Sequence, residues 1–119
     1  QVRYLKISEG CDHGCAFCAI PLMRGKHHSF ALDDLVREAQ LLEAQGAREI
    51  NLVAQDLAHY GRDRRDGNAL PELLEALVRE MPRATALMGV PTFYTRLLDH
   101  PAFHHYGELR WWYKPANAA

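Results

Sequence analysis

Apolar and polar positions change their period several times along the chain, and each change marks an element. Val2 to Ser8 mixes β-branched, aromatic and apolar residues and ends at Glu9-Gly10, which predicts a strand running into a loop. Leu32, Leu35, Val36, Ala39 and Leu42 then recur at helical spacing, with Asp33, Asp34, Arg37, Glu38 and Glu43 on the opposite face. This predicts an amphipathic helix. Its first turn is acidic, as the helix dipole favours, Asp33 and Arg37 lie four apart, and Gly46 stands as a C-terminal stop. Glu49 to Ala54 is short, apolar and bounded by turn formers, a second strand. Strand, helix and strand make a βαβ unit with a right-handed crossover and parallel strands. That pairing brings the loop after Ala54, with Gln55, Asp56 and Tyr60, to the edge where the first strand ends.

Gly61 to Asn68 reads as an exposed polar loop without a role. Leu70, Leu73, Leu74, Leu77, Val78 and Met81 form a second helical stripe, opened by Pro71 and supported by Glu75 and Arg79 four apart. A weak third strand falls at Ala84 to Met88.

Composition narrows the class without choosing a partner. The 119 residues are 48% hydrophobic and 24% charged, the make-up of one soluble globular domain, and the net charge of −1 selects no class of partner. There is no apolar run of about 18 residues to span a membrane and no apolar signal-peptide core, so a cytoplasmic location and no membrane partner are expected. The start at Gln1, without an initiator methionine, reads as a piece of a longer protein.

The chemistry is concentrated in Cys11, Cys15 and Cys18, the three cysteines of the chain, spaced C-x3-C-x2-C. A disulfide would use two and strand the third, so a metal is the better reading. Gly10 and Gly14 relax the backbone of this short turn, so that all three sulfurs can converge on one point. Zinc would need a fourth ligand, for which His13, His27 or His28 are available, whereas an iron-sulfur cube on three cysteines leaves one iron open. The basic run Arg24 to His28 is either a solvated loop or a source of positive charge beside an anionic centre. His104 and His105 lack a third partner nearby for a metal of their own.

With Phe17 before the third cysteine, the motif resembles the cluster motif of the radical S-adenosylmethionine enzymes. Lys6-Ile7-Ser8-Glu9-Gly10, Ile20-Pro21, Arg24-Gly25-Lys26, Gln55-Asp56 and Tyr60-Gly61 narrow the resemblance to the methylthiotransferases, and Gln55-Asp56 to their ribosomal-protein (RimO-type) branch. It runs from about Tyr4 to Glu80 and weakens beyond. Where the family carries Ser-Arg-Pro, this chain has Ser29-Phe30-Ala31.

The resemblance implies an α/β fold, a partial (β/α) barrel of the radical S-adenosylmethionine type with about three βα units. Residues 1–106 would form this partial core and 107–119 a tail without family resemblance. Cys11, Cys15 and Cys18 would carry a [4Fe-4S] cluster, while Phe17, Gln55 and Asp56 would contact S-adenosylmethionine; for Asp56 an ordinary turn or cap role stands beside this. The implied reaction adds a methylthio group to the β-carbon of an aspartate in a small-subunit ribosomal protein, with an electron donor such as a flavodoxin. Family members carry further domains absent here, so the fragment alone is expected to be inactive and marginally stable. A tRNA methylthiotransferase core, a non-catalytic iron-sulfur or zinc module, and an inactive relic are the alternatives.

Overall fold

The computed structural model describes residues 1–84, 86–87 and 110–111 of the chain. It divides into two compact units, Gln1–Glu80 and Met81–Ala119. The first contains β1 (Val2–Lys6), β2 (Ser8–Glu9), α1 (Ile20–Arg24), β3 (His28–Ser29), α2 (Leu32–Ala44), β4 (Glu49–Val53), a 3-10 turn at Leu57–His59 and α3 (Leu70–Glu80). In the second, β5 (Ala86–Leu87) pairs in parallel with β6 (Arg110–Trp111). The predicted third strand is thus two residues within its expected span; residues 88–109, with His104 and His105 among them, and 112–119 lie outside the described residues.

β1 and β4 pair in parallel, from Val2 opposite Glu49 to Lys6 opposite Val53, and the Ile7 N–H extends the ladder to the Val53 carbonyl at 3.0 Å. This is the strand–helix–strand unit the pattern predicts, an α/β arrangement. Alternation along β1 leaves Tyr4 exposed and buries Leu5 and Ile7 completely. α2 packs on β1 and α3, burying Leu35 and Ala39, while α3 contributes Leu73, Leu74 and Leu77 to the core. Each of the buried leucines stabilises the unit by roughly 1.5–3 kcal/mol.

The helix ends are chemically specified. Gly46, at φ 87°, lets its own N–H reach the Glu43 carbonyl and the Ala47 N–H reach Leu42, which satisfies the last carbonyls of α2. At the start of α3, the Glu72 carboxylate accepts the Ala69 N–H at 3.0 Å, half of a capping box. The expected ion pairs go to other partners. Arg37 meets Asp34 at 3.2 Å rather than Asp33, and Arg79 meets its sequence neighbour Glu80 at 3.1 Å rather than Glu75, since these long, exposed side chains choose freely among nearby carboxylates.

Three features have no counterpart in the sequence pattern: α1, the 3-10 turn, and the short antiparallel pair β2–β3, with Ser8 opposite Ser29 and Glu9 opposite His28. The last of these closes the base of the cysteine loop.

Candidate functional site

Parallel pairing of β1 and β4 brings the cysteine loop and the turn after β4 to one edge. The loop leaves β2 at Gly10, which is buried at φ 74°; a Cβ there would stand 2.2 Å from the Lys26 carbonyl oxygen and 2.6 Å from that of Gly25. Only glycine fits. The two sides are then tied by the Cys11 N–H to Gly25 carbonyl bond at 3.2 Å and by the His27 N–H donating to Asp12 Oδ1 at 3.0 Å. Gly14, by contrast, has neither a positive φ nor a neighbour that a Cβ would meet.

Cys11, Cys15 and Cys18 are all free thiols, Cys15 exposed and the other two half-buried. The Cys18 N–H donates to the Cys15 carbonyl at 3.1 Å, which turns the chain between them. Phe17, on that turn, is 94% exposed. Leu22 and Met23 of α1 are also exposed, at 90% and 75%.

From the other side, Gln55 Nε2 donates to Glu9 Oε1 at 3.1 Å, while its buried Oε1 has no partner. Glu9 also receives Lys6 Nζ, and Arg24 Nη1 lies 3.8 Å from it. Part of the positive charge expected of Arg24 is therefore balanced by Glu9. Asp56 accepts from Ala58 N–H through Oδ1 at 2.9 Å, and its Oδ2 meets His13 Nε2 at 2.6 Å and His59 Nδ1 at 2.7 Å. Burial opposes its charge, but the hydrogen bonds from His13, His59 and Ala58 outweigh it and hold its carboxyl down to about 2. Asp56 is thus both a turn cap and a link to the cysteine loop.

Tyr60 does not approach the site. It is 1% exposed, and its hydroxyl donates to the Phe30 carbonyl at 2.9 Å, which makes it a core residue. The sequence also gave no reason to expect Asp63, in the loop read as exposed and without a role. Its carboxylate accepts the Ser29 N–H at 2.8 Å and the Ser29 hydroxyl at 2.6 Å. Burial works against its charge, but these bonds and the nearby His27 hold its pKa below the usual carboxylate range. His27, placed among possible zinc ligands, is buried with Nε2 3.0 Å from Ser29 Oγ. His59 was missed as well, and only its position three residues after Asp56 could have flagged it.

A family model, the Radical SAM superfamily, matches residues 5–97. The chain belongs to that superfamily. The match continues past Glu80, where the motifs weaken. Superfamily enzymes use a [4Fe-4S] cluster and S-adenosylmethionine, for which three free cysteines on one loop are a suitable donor set.

Among curated relatives, the ribosomal protein uS12 methylthiotransferase RimO of Flavobacterium psychrophilum is 59% identical over 76 residues, covering 64% of this chain and 18% of its own. That of Chloroherpeton thalassium is 58% identical over 74 residues, 62% of this chain and 17% of its own. That of Akkermansia muciniphila is 44% identical over 117 residues, 86% of this chain and 24% of its own. The chain therefore spans less than a quarter of the length of these relatives.

Proposed function

We propose that this chain is the cluster- and cofactor-binding part of a radical methylthiotransferase of the ribosomal-protein branch. The observation that carries the reading is the joining of two loops: the turn after β4 reaches the C-x3-C-x2-C loop through Asp56 and His13, 2.6 Å apart. The relatives, ribosomal protein uS12 methylthiotransferases, suggest the substrate class, a small-subunit ribosomal protein, and the resemblance suggests the aspartate β-carbon as the modified atom.

Cys11, Cys15 and Cys18 would hold the cluster and leave one iron open. When bound, cluster and S-adenosylmethionine together supply reductive cleavage of the sulfonium and hence radical chemistry. The protein's own part is to ligate, orient and shield. Gln55 is turned by Glu9 so that its free Oε1 can accept from the cofactor's amino group. Asp56 offers a carboxylate that stays ionised across the physiological range, and the uncovered ring of Phe17 offers a face for the cofactor.

The β1–α2–β4 unit would be the first part of a partial (β/α) barrel, with residues 1–106 in that core and 107–119 beyond it. No helix among the described residues is long and apolar enough to cross a membrane, in keeping with work in the cytoplasm. Reduction would come from a partner such as a flavodoxin. Anaerobic reconstitution with iron and sulfide, followed by electron paramagnetic resonance of the reduced cluster, tests the reading. A four-iron signal that shifts on adding S-adenosylmethionine is expected; a cluster indifferent to it would leave a metal-binding module without this catalysis.

A further inference from the structure

His13 and His59 approach one carboxylate oxygen from two different loops. The bond from Ala58 N–H occupies Asp56 Oδ1, and Oδ2 is left to His13 Nε2 and His59 Nδ1. The two rings meet edge to face with centroids 4.3 Å apart. One ligand atom from each of the three residues lies within 4.8 Å of the others.

We propose that His13, Asp56 and His59 form a binding site for a divalent transition-metal ion such as zinc, separate from the three cysteines, and that Asp56 serves either this ion or the S-adenosylmethionine contact proposed above, not both at once. Two imidazole nitrogens and one carboxylate oxygen are a donor set that suits zinc at about 2.0–2.2 Å, with a fourth position open to water or a ligand. Tetrahedral binding would set these atoms about 3.3 Å apart, so the histidines retreat from Asp56 by a little over half an ångström. The side chains are 46%, 25% and 21% exposed for His13, Asp56 and His59, which leaves an entry path on the His13 side.

The proton inventory gives the proposal a distinctive consequence. His59 now holds its Nδ1 against Asp56, while Arg62 Nη1 lies 3.4 Å from its Nε2. Ligation through Nδ1 moves the ring proton to Nε2, where it faces the Arg62 donors. Arg62 must swing away for the metal to bind. Removing it should therefore tighten binding, which a merely structural histidine–carboxylate contact would not produce.

Cobalt(II) is the probe, because thiolate ligation adds a near-ultraviolet charge-transfer band that nitrogen and oxygen ligation lacks. The chain is titrated as the Cys11→Ser/Cys15→Ser/Cys18→Ser variant and, independently of whether that variant folds, as wild type with alkylated thiols. One equivalent is expected to bind with visible d–d bands and no thiolate band. His13→Ala or His59→Ala should weaken binding at least about tenfold, since even partners one shell further out cost that much. His28→Ala should leave it unchanged, and Arg62→Ala should strengthen it. Absence of the d–d bands from both thiol-free preparations, or equal affinity after His59→Ala in a folded chain, would overturn the site.

Discussion

His13 and Asp56 are 43 residues apart in sequence, and their side chains meet at 2.6 Å. The contact depends on parallel pairing. β1 feeds the cysteine loop and β4 feeds the turn at Asp56, so the two loops share an edge only because Lys6 stands opposite Val53. The site is thus a product of topology, with local sequence supplying the chemistry at each strand end.

Removing Asp56 should separate cluster from cofactor. Asp56→Ala leaves all three thiols in place, so iron and sulfide content should stay normal while S-adenosylmethionine affinity falls about tenfold, the loss of one charge-assisted contact. Alanine at Cys11, Cys15 or Cys18 should instead abolish a stable cluster. Equilibrium binding and iron analysis on the same samples check both; unchanged affinity in Asp56→Ala would return that residue to a turn cap.

The two glycines that precede Cys11 and Cys15 should behave differently. Gly10→Ala forces a Cβ to within 2.2 Å of the Lys26 carbonyl at a φ of 74°, a clash with backbone that no side-chain motion relieves. A loss of about 2–3 kcal/mol, or failure of the loop to close, is expected. Gly14→Ala meets nothing within 4 Å and should be close to neutral. Urea unfolding of the two variants side by side, with iron content after reconstitution, makes the comparison.

What the sequence disclosed followed from periodicity and spacing. The stripes at Leu35/Ala39 and Leu73/Leu74/Leu77 are the buried faces of α2 and α3, and the strand–helix–strand order carried the parallel pairing. The cysteine motif and Gln55-Asp56 were legible because they are contiguous. Asp63 was not, because its partner Ser29 lies 34 residues away and no local pattern joins them, and His59 carried only its place three residues after Asp56, since the His13 ring it also meets lies in another loop. Tyr60 misled for the opposite reason: its place beside the motif pointed to the site, while its side chain turns into the core. The 3-10 turn at Leu57–His59, seated on the Asp56 cap, reverses the chain there.

Thermal stability should be modest. The first unit rests on a two-stranded parallel sheet with α2 packed on β1 and α3 packed on α2, and Val2, Tyr4 and Val53 of that sheet remain 46%, 68% and 41% exposed. A midpoint below about 65 °C is expected for the isolated chain. A sharp transition above that temperature in calorimetry would show that the buried leucines of α2 and α3 suffice without further covering.

Tyr60 should make the chain sensitive to alkali. Burial pushes its hydroxyl up to about 12, above the value near 10 of an exposed phenol. A folded pKa raised in this way contributes stability that is fully present below pH 10 and lost as pH rises towards 12. Tyr60→Phe should lose that pH dependence and cost about 1 kcal/mol at neutral pH, because the Phe30 carbonyl loses its donor. Following phenolate absorbance and helicity together tests this: Tyr60 should ionise only as the helices melt, and ionisation while they persist would place it at the surface.

Asp63 should govern the cysteine loop without touching it. Ser29 is fully buried, gives both its N–H and its hydroxyl to Asp63, and accepts the Gly61 N–H at 2.9 Å. Asp63→Ala leaves the buried Ser29 N–H unpaired and its hydroxyl with only His27 Nε2 to turn to, a loss of about 1–3 kcal/mol for the N–H alone. Asp63→Asn retains an acceptor for one of them and should fall between. Because the folded pKa of Asp63 is depressed, its contribution is present above the ordinary carboxylate range and fades as pH falls through the lowered value, so wild type and Asp63→Ala should converge in stability at acid pH. Ser29 also stands opposite Ser8 in the β2–β3 pair at the base of the loop, so loosening it should release the cluster faster to a chelator. Urea titrations at neutral and acid pH and chelator-release rates measure the two effects separately. A destabilised Asp63→Ala that holds iron as tightly as wild type would mean that the loop is closed from above, by Gly10 and Asp12, and not from its base.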